Sequence, residues 1–272
     1  MWEVSRALQW PQDPLEGLGR YAARQTRRAS RAFSQCPWCW IGKRRLDTAL
    51  ERLKGRVESQ VVWHAFQLNP RAPAEGENKL EMYQVRCRRT IGGIAAPLRP
   101  CAAASSATAT PQSRRPSQAK FGPRAEPILE RLRGVFREEG LELKMGGLTG
   151  NTFTSHCLMA WAATRGPKAQ HALAEEMFRA YFSQEQYIGD AEVLAACAKR
   201  AGLEGAEAVL ADPGAFAAEV RAELASGPAS KYRVTGVPFF VIDGQHQLSG
   251  AQPPEAFEEV LEDCLAQRQG SA

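Results

Sequence analysis

Apolar residues Leu46, Ala49, Leu50 and Leu53 fall at i, i+3, i+4 and i+7. That spacing predicts one face of a helix, with Gly55 as its stop. The pattern then changes. In VESQVVWHAFQLNP (residues 57–70), Val57, Val61, Val62, Trp63 and Phe66 carry the branched or aromatic side chains that favour a strand, and Asn69-Pro70 closes it. Helical spacing returns with Ile128, Leu129, Leu132, Val135 and Phe136, ending at Gly140. Residues 152–166 and 168–184 are strongly periodic, Asp190 stands where a cap is needed for the helix that follows, and 214–227 forms a further helix. The block 121–227 therefore reads as all-helical. The period shortens again at the end: Val237 and Phe239 to Ile242 make a short apolar strand with Pro238 at its start. Asp243-Gly244 is a hairpin turn signal, residues 245–249 return, and 253–268 is a last helix with proline in its first turn.

Two stretches carry neither period. Residues 1–35 read as an irregular basic segment, and 84–119, rich in Ala, Ser, Pro, Thr and Arg, reads as disordered because it has too little apolar surface to offset chain entropy. These stretches hold the basic charge. Residues 1–35 carry +3 and 84–120 carry +7, so within a net +5 the remaining protein is −5. A nucleic-acid footprint needs basic residues on a folded face with aromatic interleaving, which is not this distribution. With 272 residues, 44% hydrophobic and 24% charged, the composition is that of an ordinary globular protein. No apolar run approaches a membrane span, and no secretory h-region opens the chain. Seven cysteines, unevenly placed, do not form a disulfide framework. A cytoplasmic location is expected, with an organelle as the alternative if the basic N-terminus is a targeting segment; Glu3 and Asp13 count against that.

The chemistry centres on SQCPWCW. Cys36 and Cys39 at i and i+3 bracket Pro37-Trp38 at a predicted helix start. Positions three apart on a helix lie about 5–6 Å apart, within reach of an unstrained disulfide. Unpaired N–H groups and the helix dipole favour a thiolate at the first cysteine. Structural zinc is the competing reading, but it needs a second close pair, and Cys87 and Cys101 are far apart in the segment without period. Cys157, Cys197 and Cys264 fall within predicted helices and read as small buried hydrophobes. Lys43, Arg44 and Arg45 read as a solvated helix face. Trp38 cannot supply positive charge to the thiolate as a histidine would, leaving a reduction potential anywhere between about −120 and −270 mV.

The order of elements, CxxC at a helix start, strand, helical block, Val-Pro-strand hairpin and helix, is that of a thioredoxin fold carrying an inserted all-helical domain, an α/β architecture. CPWCWIGKRRL, QLNP, KFGPRAE, GGLTGNTFTSH and TGVPFFVIDG resemble the DsbA-like thioredoxin family, in its FrnE-like branch. The resemblance covers about 36–83 and 120–265. It implies a disulfide oxidoreductase with Cys36 as nucleophile, Cys39 as resolving thiol, and Pro238 in a cis peptide. Pro37, Trp38, Val237 and Pro238 would then meet the substrate, a protein or small molecule bearing a disulfide or thiols. Asn151 and His156 would line a cleft beside the helical block. No metal or bound cofactor is implied beyond the redox-active disulfide, with glutathione as a candidate co-substrate. The expected division is 1–35, 36–83 (first thioredoxin part), 84–119, 120–230 (helical domain) and 231–268 (second thioredoxin part). The chain departs from the family pattern in those same two basic stretches: RRASRAFSQ replaces an apolar central strand, and 84–119 interrupts a direct connection. The first strand is therefore poorly represented. Alternatives are a glutathione-dependent isomerase or kappa-type glutathione transferase, which carries a serine at the nucleophile position, and a non-catalytic chaperone or interaction protein.

Overall fold

The computed structural model describes residues 25–32, 35–82 and 125–270. The insertion 84–119, expected to be disordered, lies outside them, as do residues 1–24. Three segments build the first thioredoxin part: β1 (Gln25–Ala32), α1 (Pro37–Arg52) and β2 (Glu58–Ala65). After a two-residue strand, β3 (Glu77–Asn78), the helical domain contributes α2 (Ala125–Glu138), α3 (Phe153–Ala163), α4 (Pro167–Phe182), α5 (Ala191–Arg200), α6 (Ala206–Ala211), α7 (Ala217–Ser226) and the short α8 (Pro228–Lys231). Within it β4 (Leu148–Thr149) pairs with β3. The chain returns through the hairpin β5 (Phe239–Ile242) and β6 (His246–Ser249) and ends on α9 (Pro254–Gly270).

Four strands form one sheet in the order β2-β1-β5-β6. β1 runs parallel to β2 from Gln25↔Glu58 to Ala32↔Ala65, and antiparallel to β5. This corrects the reading of residues 1–35 as irregular throughout. Residues 25–32 are a strand, and a central one. Its sequence, QTRRASRA, hides it because strand patterns are read from side chains. The ladder is made by backbone N–H and C=O groups, and here neighbours on both sides dictate it. β2 stops at Ala65, so the strand predicted over 57–70 gives way to loop after its first half.

The stops and caps follow the residues that announce them. Gly55 (φ +81°) and Gly140 (φ +69°) adopt left-handed conformations where α1 and α2 end. The Asp190 carboxylate accepts from the N–H groups of Glu192 and Val193 at the start of α5. Asp243 (φ +55°) and Gly244 (φ +74°) supply the paired positive φ angles of a tight hairpin turn.

An aromatic cluster joins the two domains. Trp40 of α1 lies 5.8–6.2 Å, centroid to centroid, from Phe136 of α2 and Phe178 and Phe182 of α4. All four are at most 1% exposed, and burying each side chain contributes about 1.5–3 kcal/mol. Around this cluster the Lys43-Arg44-Arg45 run is not the solvated face expected. Lys43 is 3% exposed and pairs with Asp47 at 2.8 Å and Glu175 at 3.0 Å. Arg44 pairs with Glu175, Arg45 with Glu139, and Arg45 also donates to the Ala251 carbonyl at 2.8 Å. The helical domain covers this side of α1, and cations taken out of water need carboxylate partners. The bulk of the helical domain thus docks on the thioredoxin part through aromatics ringed by ion pairs. Among the described residues no helix is long and apolar enough to cross a membrane.

Candidate active site

Cys36 is the N-cap residue of α1, extended at φ −95° and ψ 116°, with Pro37 opening the helix. Proline has no N–H to waste at that position, and its fixed φ suits the first turn. The helix therefore begins with its dipole aimed at the Cys36 sulfur. Cys39 sits one turn inward, its backbone N–H donating to the Cys36 carbonyl at 3.0 Å. The two cysteines lie 3.6 Å apart, and both are free thiols. Their environments are unequal. A hydrogen bond from the Cys39 thiol pulls the Cys36 pKa down, and the Cys39 and Trp38 N–H groups add to it, outweighing the burial that opposes them. Cys39 moves the other way, pushed well up by burial first, then by donating to Cys36 and facing its charge. One sulfur is prepared to ionise and the other to stay protonated.

The second wall of the site is the turn before β5. The Val237–Pro238 peptide is cis, and the Cys36 thiol donates to the Val237 carbonyl at 3.5 Å across 201 residues of sequence. The Pro238 carbonyl accepts from Gly250 N–H at 2.8 Å, tying the turn to the far end of the hairpin. Gly42 lets these parts meet. A Cβ there would stand 2.9 Å from the Phe240 ring tip and 3.2 Å from Pro238 Cγ, closer than packing allows. Sequence reading passed over Gly42, because a glycine inside an otherwise good helix is its only signal. Trp38, between the cysteines, is 41% exposed, although tryptophan is a residue that ordinarily buries itself.

Asn151 lines an open recess of ≈ 460 Å³ with Pro70, Phe153 and Arg221, whereas His156 is not among the residues that line it. His156 is 2% exposed, with its ring nitrogens on the backbone carbonyls of Thr152 and Phe66. It fastens the start of α3 to the chain leaving β2. Asn151 organises the loop before α3: its amide donates to Pro70 O at 3.1 Å, and its side-chain oxygen accepts from Gln67 at 3.1 Å and from Phe153 N at 2.8 Å. The reach toward the helical domain comes instead from Gln35, which donates to the Gly150 carbonyl at 3.0 Å. Gln35 precedes Cys36 and lines a small recess with Leu68 and Gly150. Cys157, Cys197 and Cys264 are buried apart from this pair, as small hydrophobes. Among the described residues no cluster of three or more His, Cys, Asp or Glu side chains is arranged to hold a metal.

Residues 34–262 match the DSBA-like thioredoxin domain family. The chain belongs to the DsbA-like family. It is thus a disulfide oxidoreductase of the DsbA-like type, and the thioredoxin fold with its helical insertion is the family's. The crystal structure described as that of a "probable DsbA oxidoreductase" from Streptomyces coelicolor superposes with a TM-score of 0.67 at 31% identity, covering 88% of this chain and 89% of that one. The cytosolic disulfide reductase DsbM from Pseudomonas aeruginosa shares the fold at 16% identity and a TM-score of 0.51, over 90% of this chain and 100% of its own. The uncharacterized protein YwbO of Bacillus subtilis is 22% identical over 233 residues, 84% of this chain and 92% of its own. The FrnE-like branch suggested by the motifs is compatible with these DsbA-like relatives.

Proposed function

We propose that this DsbA-like chain exchanges dithiols and disulfides through Cys36 and Cys39, with Cys36 as the attacking sulfur. The observation that carries the reading is the placement of the two sulfurs: Cys36 caps α1 and meets the Val237 carbonyl at 3.5 Å, while Cys39 sits one turn inward, an arrangement that lowers the Cys36 pKa and raises that of Cys39. In the reducing direction the Cys36 thiolate attacks one sulfur of a substrate disulfide. An S–S bond forms to Cys36, the substrate S–S bond breaks, and the departing sulfur takes up a proton. Cys39 then loses its proton and attacks the Cys36 sulfur. The second substrate thiol leaves, and the enzyme holds the Cys36–Cys39 disulfide, having given up two electrons. The oxidising direction is the reverse.

The substrate proposed is a disulfide- or thiol-bearing polypeptide or small molecule, with glutathione as the candidate partner that resets the enzyme. Val237 and Pro238 would present backbone to it, and Pro37 and the exposed Trp38 would form the apolar lip around Cys36. Leu68, 38% exposed beside the Gln35 recess, extends that lip. A glutathione-dependent isomerase reading lacks its serine, since Cys36 stands in that position with Cys39 beside it.

Trapping tests the assignment. With Cys39→Ala, a disulfide-bearing peptide is expected to remain attached, giving a mixed disulfide at Cys36 by mass spectrometry; with Cys36→Ala no adduct should form at Cys39. Adducts of equal yield at either cysteine would remove the nucleophile assignment.

A further inference from the structure

β2 is an edge strand of the sheet, and its outward backbone groups are treated unequally. At Trp63 the side chain of Gln170 stands in for a neighbouring strand. The Trp63 N–H donates to Gln170 Oε1 at 2.8 Å, and Gln170 Nε2 donates to the Trp63 carbonyl at 2.9 Å. Two residues on, the Ala65 N–H donates to the Glu223 carboxylate at 3.2 Å. Backbone direction alternates along a strand, so Ser59 and Val61, in step with Trp63 and Ala65, also point outward. Among the described residues no hydrogen bond meets these outward groups. A sheet edge whose amides and carbonyls lack partners is a template for another strand.

A cavity of ≈ 590 Å³ opens there, its lining including Ser59, Val61, Lys43, Arg165, Lys168 and Glu175. Lys43 and Glu175 neutralise one another at 3.0 Å. Arg165, stacked on the Trp161 ring at 3.9 Å and donating to the Glu204 carbonyl at 3.5 Å, and Lys168, on either side of the α4 start, have no carboxylate partner among the described residues. The cavity therefore offers unpaired strand backbone beside net positive charge. It is also separate from the dithiol. β2 meets β1 at Ala32↔Ala65, the end nearest Cys36, whereas Val61 lies four residues back, about 13 Å along the strand.

We infer that the β2 edge at Ser59–Val61 is a docking site for an extended, carboxylate-bearing polypeptide segment, which pairs with the strand and places its acid groups against Arg165 and Lys168. Backbone pairing supplies the binding and the cations supply the preference, the usual division in strand addition. Such a site would hold an acidic polypeptide independently of which sulfur attacks it.

The test uses the full chain, ¹⁵N-labelled, and an acetylated hexapeptide, Thr-Val-Thr-Val-Asp-Glu, with a free C-terminal carboxylate. Saturable shifts of the Ser59 and Val61 amide signals are expected, with the Trp63 signal moving least because Gln170 already holds it. Lys168→Glu, an exposed change that leaves the core untouched, is expected to weaken binding about fivefold, the size of one lost rim charge pair. Methylating alternate amide nitrogens of the peptide is expected to abolish it. Three results would overturn the proposal: no shift at millimolar peptide, undiminished binding of the methylated peptide, or shifts confined to the Cys36–Val237 region. A dimer that forms through this edge and excludes the peptide would also overturn it, assigning the surface to a second copy instead.

Discussion

Replacing Gly42 by alanine tests whether α1 and the cis-proline turn are packed as closely as the site requires. In an exposed helix interior this change stabilises by about 1 kcal/mol, because alanine loses less freedom than glycine on folding. Here the new Cβ would sit 2.9 Å from Phe240 Cζ and 3.2 Å from Pro238 Cγ. The Phe240 ring has nowhere to go: it is 0% exposed and abuts Phe257 edge-on, with centroids 4.8 Å apart. Overpacking of this kind costs about 1–3 kcal/mol, so the net expectation is a loss of about 1 kcal/mol. Gly134 in α2 is the control, since an added Cβ there meets nothing within 4 Å. Gly134→Ala should stabilise by about 0.5–1 kcal/mol. The two variants should therefore differ by about 2 kcal/mol, a separation in urea midpoint of about 0.7–2 M. Because Pro238 Cγ is one of the atoms displaced, Gly42→Ala should also change the rate at which Cys36 is alkylated, while Gly134→Ala should not. Equal stabilisation by both substitutions, with Cys36 reactivity unchanged, would refute the close approach of helix and turn.

Three further outcomes follow from the electrostatics. Alkylation followed against pH should reach its half-maximal rate at Cys36 below the free-thiol value of about 8.5 and at Cys39 well above it; coincident profiles would contradict the inequality. Lys79 is 0% exposed, donates to the Tyr181 carbonyl at 2.7 Å, and is held by burial at a pKa of about 8 despite the opposing charge of Glu185. The unfolded chain keeps this proton to about pH 10.4, so between about 8 and 10.4 it binds more protons than the folded one and stability contributed at this site rises with pH. The stability of the wild type relative to Lys79→Met should climb across that window, and a flat difference would oppose the assignment. Glu175→Gln removes charge from the carboxylate shared by Lys43, Arg44 and the Trp40 indole N–H. It should cost about 1–3 kcal/mol in urea denaturation, because buried Lys43 loses one of its two charged partners and keeps Asp47; an unchanged midpoint would show the seam to be dispensable.

The parts legible in the sequence are those that side chains announce locally. The CxxC before an amphipathic run placed the dithiol at a helix start, Asp190 and the glycines fixed ends, and Asp243-Gly244 fixed a hairpin. Three features were not legible, each for a physical reason. β1 is specified by backbone pairing to β2 and β5 rather than by its own Arg-rich residues, so periodicity missed it. The Lys43-Arg44-Arg45 run looked solvated because a helix does not reveal that a second domain will cover its polar face. The partners Glu139 and Glu175 lie about 90 and 130 residues away in the chain. Gln170 is an ordinary polar helix residue in sequence, and only the fold brings its amide to the edge of β2.

A glutathione redox titration of the purified chain measures the central claim most directly, with the Cys36–Cys39 disulfide followed by mass after thiol alkylation. A single two-electron transition is predicted, lost in Cys36→Ser, with a midpoint between about −120 and −270 mV. If the chain shows no such transition, and Cys36 and Cys39 alkylate as freely and independently as the other thiols at every glutathione ratio, the proposed dithiol couple is contradicted.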